Sequence, residues 1–370
     1  MRNWIAILVC ALFAAGLPWP AITAAAAETK LLNVSYDVTR EFYQDYNQAF
    51  AAYWKEKTGN AVTINQSHGG STKQAQSVVN GLEADVVTMN QPPDIDILHS
   101  VDLIPANWSS RLPNNSVPYT STIVFVVRKG NPKNIRNWDD LVRSDVSVVI
   151  PNPKTSGNGR YSYLAAWGYA LKKSAGLRRA GADSHLADGQ QQDVNSRLAS
   201  TGYGPAEAGD EKQARAFVAS LFANVPVLDT GGRGATTTFA DRGIGDALLT
   251  FENEAALVQK QFPDDGLVVV LPPMSILAEN PVTWVDRNVR RHHTEAVSRA
   301  YLEYLFSDAG QELAAQHFFR PQNQVILARY ATRYKPLELF TVEEVAGGWQ
   351  KAQQKHFADG GIFDQIYQPY

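Results

Sequence analysis

Apolar positions along the chain switch repeatedly between two periods, and the switching predicts the architecture. Short runs rich in β-branched residues read as strands at residues 31–36, 61–65, 85–89, 122–128, 146–150, 226–228, 247–251 and 267–271. Between the first two runs, Phe42, Tyr43, Tyr46, Phe50, Tyr53 and Trp54 recur at helical spacing, which predicts an amphipathic helix over 38–57. Further helices are predicted over 71–81, 295–306 and 307–317, the last with Ser307 as N-cap and Asp308 as a favourable first-turn charge. Strands alternating with helices predict an α/β fold with mostly parallel sheets. Residues 173–211 break the rhythm. They are rich in Gly, Ala, Ser, Gln and Asp, carry few large apolar side chains, and read as a partly disordered surface excursion.

The amino terminus belongs to a different pattern. Met1-Arg2-Asn3 is a short basic start, Trp4 to Leu17 is almost unbroken apolar sequence, and Ala24 to Ala27 supply small residues for a signal-peptidase cut. This reads as a secretory signal peptide over 1–27, too short and wrongly flanked for a membrane span. No later segment reaches about 18 uninterrupted apolar residues, so the mature chain is expected to be soluble. The one cysteine, Cys10, lies inside the signal, so a disulfide scaffold and a thiolate zinc site are both excluded. Export without disulfides is a common periplasmic profile.

Composition narrows the picture further. The chain has 370 residues, 44% hydrophobic, with 34 Lys and Arg against 37 Asp and Glu. At roughly 150 residues per domain that suggests two domains. The near-balance of charge argues against nucleic-acid binding, which needs a clustered basic surface, and against disorder.

The informative local feature occurs four times. A strand gives way to a small polar turn and then to a helix start at Ser35-Tyr36-Asp37-Val38-Thr39, at Ser67-His68-Gly69-Gly70-Ser71-Thr72, at Thr155-Ser156-Gly157-Asn158-Gly159, and at Thr230-Gly231-Gly232-Arg233-Gly234-Ala235-Thr236. Each exposes unpaired backbone N–H groups at a helix N-terminus, where the macrodipole favours negative charge. Glycine allows close approach, and Ser or Thr adds a hydroxyl donor. Converging on one point, such termini make a neutral, donor-rich cradle for an oxyanion at the carboxyl ends of strands. The same residues also serve ordinary helix capping: Ser71 with Gln74 fits a capping box, and Asp37 and Ser156 are good N-caps. Arg233 either contacts the anion or pairs with an internal carboxylate.

Enzyme signatures are missing. There is no P-loop, no G-x-S-x-G elbow and no H-E-x-x-H, and the adjacent His292 and His293 have no zinc spacing. Asp94 and Asp96 lie in a Pro-containing segment that favours a turn over a catalytic carboxylate pair. No cofactor or metal is called for. A secreted enzyme acting on phosphate esters would need a nucleophile–base pair or a metal cluster, and the sequence offers neither.

At the same junctions the chain resembles the periplasmic sulfate/thiosulfate-binding proteins of ABC importers. The resemblance rests on Leu31-Leu32-Asn33-Val34-Ser35-Tyr36-Asp37, Gln66-Ser67-His68-Gly69-Gly70-Ser71, and Arg111-Leu112-Pro113-Asn114-Asn115-Ser116 with Pro118-Tyr119-Thr120-Ser121-Thr122. It continues through Arg128-Lys129-Gly130-Asn131-Pro132-Lys133, Pro151-Asn152-Pro153-Lys154-Thr155-Ser156-Gly157, Tyr163-Leu164-Ala165-Ala166-Trp167-Gly168 and Phe357-Ala358-Asp359-Gly360-Gly361. It covers nearly all of the mature chain except 173–211. It implies a two-lobed, type II periplasmic binding protein whose α/β lobes are joined by crossover hinge strands. The expected division is 28–120 for the first part of lobe 1, 121–280 for lobe 2 with the polar insertion 173–211, and 281–370 for the return to lobe 1 and the C-terminal helices. The crossings are expected near residues 119–122 and 278–282.

The resemblance also implies a dehydrated dianion held between the lobes without a counter-charge in contact. By position, the donors would be the backbone N–H groups of Asp37, Ser71, Gly157, Asn158 and Gly232 with the Ser156 hydroxyl, while Arg233 lies behind the site. Three departures from the sulfate-binding pattern point to its thiosulfate-binding branch. Phe251 stands where that pattern has Trp, Asn158 where it has a second glycine, and Thr230-Gly231-Gly232-Arg233 where it reads Ser-Gly-Ala-Arg. Asn90-Gln91 and Arg160-Tyr161 resemble the same branch. The chemistry agrees, because Phe251 removes an indole donor and leaves an apolar ring, which suits the larger, softer sulfur of thiosulfate. The expected function is thus capture of thiosulfate, and of sulfate, for an inner-membrane ABC permease by a monomer in the periplasm. A receptor for another tetrahedral oxyanion, such as molybdate or phosphate, is the alternative. The mature chain retains only Met89 and Met274 as sulfur-containing residues, as would suit a protein made when sulfur is scarce.

Overall fold

A computed structural model describes residues 29–186 and 208–367; the signal peptide expected over 1–27 and residues 187–207 of the expected polar excursion lie outside the described residues. The chain opens with strand β1 (Thr29–Tyr36), a 3-10 turn at Asp37–Thr39, and helix α1 (Arg40–Thr58). The aromatic stripe of α1 does what its spacing predicts: Phe42, Tyr43, Tyr46 and Phe50 are fully buried. Strand β2 (Val62–Gly69), helix α2 (Ser71–Val79), strand β3 (Val86–Thr88) and helix α3 (Pro92–His99) follow. The first sheet has the order β2-β1-β3-β9, with β1 parallel to both neighbours. Its edge strand β9 (Val282–Trp284) arrives from far along the chain and runs antiparallel to β3.

The second sheet is built around β4 (Tyr119–Val127), nine residues long. Its first half, Tyr119 to Thr122, lies antiparallel to β8 (Met274–Asn280), in the register Tyr119↔Asn280 through Thr122↔Leu277. Its second half pairs antiparallel with β6 (Ala247–Phe251) and β7 (Val268–Val270), and β6 pairs parallel with the short β5 (Val148–Val149). The chain thus leaves the first sheet by β4. It comes back where β8 ends at Asn280 and β9 begins at Val282. The largest apolar cluster runs continuously through both lobes, from Phe42 and Val86 to Phe125 and Trp138, and smaller ones lie within each: Val34, Val87, Met89 and Ile95 in one, and Val124, Val126, Phe239 and Leu248 in the other.

Helices α4 (Gly157–Leu186) and α5 (Ala208–Ala223) pack together on the second lobe. The C-terminal elements also pack there. Strand β10 (Glu338–Phe340) lies parallel to β8, and the Lys154 ammonium donates to the Phe357 carbonyl at 3.1 Å and the Asp364 carboxylate at 2.9 Å. The sequence division 281–370 does not separate these elements from the stretch that rejoins the first sheet.

Two local expectations are corrected. Residues 173–186 are the continuation of α4 and 208–211 open α5, so the described flanks of the polar excursion are helical. Few large apolar residues do not amount to a lack of structure here, because Ala, Leu, Lys and Arg, abundant in 173–186, are strong helix formers. Residues 226–228 form no strand. Pro226 has no N–H to give a ladder, and the chain touches β5 and its continuation only through Val148 N–H to Asn224 O at 2.9 Å and Asn152 N–H to Asp229 O at 2.7 Å.

Candidate anion-binding site

Each of the four junctions opens a helical turn. Asp37 begins the 3-10 turn, Ser71 begins α2, Gly157 begins α4, and Gly232 begins α6 (Gly232–Ala240). No side chain caps α2 or α6, whose N-caps are Gly70 and Gly231. The N–H groups of Ser71, Gly157, Asn158 and Gly232 donate to no backbone carbonyl, as befits the first turn of a helix. The capping box expected for Ser71 does not form. Ser71 occupies the first helical position, and its hydroxyl lies 3.6 Å from the Met89 sulfur while accepting from Asn90 N–H at 3.3 Å. Ser156 does act as a cap, accepting from Gly159 N–H at 3.4 Å, which leaves its own proton free to donate.

Tertiary structure brings the four turns together. A Cβ on Gly70 would lie 2.6 Å from the Thr230 carbonyl oxygen and 2.7 Å from that of Thr155. The second junction therefore touches the third and the fourth, and nothing larger than glycine fits. A Cβ on Gly231 would lie 2.4 Å from an Asp37 carboxylate oxygen, and one on Gly232 would meet Val38 and Asn158 at 3.0 and 3.1 Å, so the first junction meets the fourth. Thr155 donates to the Thr230 carbonyl at 3.0 Å, and Arg233 N–H donates to Asp37 Oδ2 at 3.0 Å. The lobes are closed on one another at this point, with first-turn N–H groups supplied from both sides.

No free cation enters the junction from Arg233. Its guanidinium makes a bidentate pair with Glu41 at 3.1 and 2.9 Å, and its Nε lies 3.2 Å from the fully buried Glu254. Of the two placements open for this side chain, the structure has the carboxylate pairing. Burial pulls the Arg233 pKa down, but Glu254 and Glu41 more than offset it, so the group stays charged. Burial drives Glu254 the other way, up to about 7, against the pull of Arg233 and Thr236. Burial also raises Asp37, opposed by the N–H and charge of Arg233. Arg160, the other buried arginine close to these turns, sits 3.8 Å from Asp94 and donates to the Pro153 carbonyl at 2.9 Å.

Phe251 is buried at the end of β6. Tyr36 meets it edge-on at 6.3 Å between ring centroids and Tyr161 at 5.8 Å. Asn158 is locked by donating to Thr250 at 3.1 Å and accepting from Ser162 at 3.1 Å. Two neighbours escaped the sequence reading as site residues. The Tyr36 hydroxyl and the Asn90 carboxamide oxygen are both buried without a hydrogen-bond partner. Both residues stand in quoted motifs, yet their isolation is a property of the folded state, and no local pattern carries it. Among the described residues no group of His, Cys, Asp and Glu is placed to hold a metal, and no helix is long and apolar enough to cross a membrane.

Two α/β lobes joined by crossover strands, closing on a junction of helix-opening turns, define the class of solute-binding proteins. The chain belongs to the family of bacterial extracellular solute-binding proteins, whose profile matches residues 37–320. It is 50% identical over 347 residues to a thiosulfate-binding protein of Pseudomonas aeruginosa, covering 94% of each chain. It is also 50% identical over 341 residues to a sulfate-binding protein of Salmonella typhimurium, covering 92% of this chain and 94% of the other. Among solved structures, the sulfate-binding protein SubI of Mycobacterium tuberculosis superposes with a TM-score of 0.71 at 26% identity, covering 92% of this chain and all of that one. The expected fold class and family are both borne out.

Proposed function

We propose that the protein captures thiosulfate, and with it sulfate, in the periplasm and hands the anion to the inner-membrane permease of an ABC importer. The observation that carries this reading is the convergence of the four helix-opening turns: the second, third and fourth meet at Gly70, a contact too tight for any side chain at that position, and the first meets the fourth at Gly231 and Gly232. The anion-contacting set is the N–H groups of Asp37, Ser71, Gly157, Asn158 and Gly232 and the Ser156 hydroxyl, with Phe251 as the ring facing sulfur. Arg233 acts behind them, holding Glu41 and Glu254. Lobe 1 is formed by residues 28–120 and by the chain that rejoins its sheet at β9; lobe 2 is formed by 121–280. Residues 1–27 direct export and are removed.

No covalent chemistry is involved, so the protein is a carrier and not an enzyme. Lobe closure strips water from the dianion, and the first-turn N–H groups replace that water with fixed dipoles. Hydrogen phosphate carries a proton that needs an acceptor, and a cradle of donors leaves that proton unpaired at a cost. Thiosulfate has no such proton, and its terminal sulfur packs against the Phe251 ring. Names of the relatives support both anions, and Phe251 in place of an indole donor favours thiosulfate. Calorimetric titration of the mature protein with thiosulfate, sulfate, phosphate and molybdate tests the reading. Micromolar or tighter binding of thiosulfate is expected; comparable binding of phosphate with no response to thiosulfate would overturn it.

A further inference from the structure

Asn90 lies just beyond β3, wedged between two of the helix-opening turns. Its backbone N–H donates to the Ser71 hydroxyl at 3.3 Å, at the start of α2. Its carboxamide presses on the start of α4 from the opposite lobe: a Cβ built on Gly157 would fall 1.8 Å from Asn90 Oδ1, 2.5 Å from Cγ and 2.7 Å from Nδ2. The Asn90 side chain thus occupies the space that any side chain at residue 157 would need. Asn90 is 2% exposed, its carboxamide oxygen has no hydrogen-bond partner, and no protein acceptor takes its amide hydrogens. Its neighbour Gln91, by contrast, donates to Asp94 at 2.8 Å and to Thr72 at 3.3 Å.

A buried carboxamide terminus without a partner is unfavourable, since it has given up water and gained nothing in return. An apolar side chain of the same volume would fill the space without that cost. The amide is explained if its partner is the solute. The unpartnered terminus of the carboxamide, placed as Oδ1, is the one nearest Gly157, and a half-turn of the amide puts the two-hydrogen donor Nδ2 in that position. A dianion at the Ser71 and Gly157 N–H groups lies beside it, and negative charge selects the donor end of an amide over the acceptor end.

We propose that Asn90 is an anion-contacting residue whose Nδ2 donates to the bound oxyanion, adding a side-chain donor to the main-chain cradle. This rests on the anion-binding reading above and deepens it. Asn90 sits on the lobe opposite Gly157, Asn158 and Ser156, so its bond to the anion forms only as the lobes close. It therefore couples closure to occupancy.

The test uses the mature wild type, Asn90→Ala and Asn90→Asp, each titrated calorimetrically with thiosulfate, sulfate, phosphate and molybdate. All three are also melted without ligand. For whichever anion the wild type binds most tightly, Asn90→Ala should weaken binding about tenfold, the loss of one charge-assisted hydrogen bond. Asn90→Asp should weaken it by on the order of a hundredfold or more, because a carboxylate then faces the dianion. The unliganded melting temperature of Asn90→Ala should equal or exceed that of the wild type, which a purely structural asparagine would not allow. Binding by Asn90→Ala within twofold of wild type, or weakened binding accompanied by a lower unliganded melting temperature, overturns the proposal. Tight phosphate binding by the wild type with the same tenfold loss in Asn90→Ala would sink the thiosulfate reading while sustaining the role of Asn90. Failure of the wild type to bind any of the four anions overturns both.

Discussion

Two ways of handling charge lie within a few residues of each other, and Arg233 takes part in both regions. Its side chain belongs to a conventional ion-pair cluster, with Glu41 reaching over from α1 and Glu254 from the opposite face. Its helix opens with Gly232, one of the main-chain donors that hold no counter-ion at all. The cluster fixes charge by matching it with opposite charge, which is permissive about shape and responds to any carboxylate. The cradle fixes charge by counting donors, and a guest that brings its own proton or lacks an acceptor is penalised at each mismatch. On the proposed reading, specificity therefore comes from the main-chain donors. The charged region bridges α1 and α6.

This contrast can be broken most severely at Gly70. Gly70→Ala would drive a methyl group into the Thr155 and Thr230 carbonyls only when the lobes are closed. Anion affinity should fall by on the order of a hundredfold while the unliganded melting temperature barely moves. Affinity within threefold of wild type, read by calorimetry, would mean that the closed junction is not the binding state. Ser156→Ala removes one hydroxyl donor and one cap; about a tenfold loss for both thiosulfate and sulfate is expected. No loss would remove Ser156 from the cradle. Phe251→Trp restores an indole donor, and the sulfate-to-thiosulfate affinity ratio should rise roughly three- to tenfold. An unchanged ratio in competition titrations would show that the ring does not read the sulfur.

The smallest effect probes the charged side of the comparison. Glu254 has a folded-state pKa of about 7, above the ordinary value of 4.5, because burial disfavours its ionised form. Its contribution to stability is fully present below about pH 4.5 and is lost as pH rises through about 7. Melting temperatures of the wild type relative to Glu254→Gln should therefore decline by roughly 3–5 °C between pH 5 and pH 8. Parallel curves for the two proteins would show that Glu254 is ionised throughout, held by Arg233.

Much of this was legible in the chain, for physical reasons that differ by region. The α1 stripe from Phe42 to Phe50 announced its helix and its buried face, because local period and burial are the same fact seen twice. The Gly, Ser and Thr turns were visible as helix starts, and their chemistry as donors follows from any helix N-terminus. Their meeting at Gly70 was not visible, since it depends on contacts between residues 70, 155 and 230 that no local window contains. Resemblance to a known family supplied that step. Asn90 appeared only as part of a motif, because an amide becomes informative once its partners are known to be missing. Residues 173–186 were misread for the opposite reason: scarcity of large apolar side chains argued for a loop where helix propensity and packing against α5 decide otherwise.

The central claim is that main-chain amides, and no cation, hold the solute. Amide and guanidinium nuclear magnetic resonance of labelled mature protein, recorded as thiosulfate is added, tests it most directly. The account predicts that the amide protons of Ser71, Gly157, Asn158 and Gly232 move downfield together while the Arg233 side-chain signals stay with Glu41 and Glu254. Silent amides at those residues, with an arginine or lysine side chain responding in their place, would contradict it.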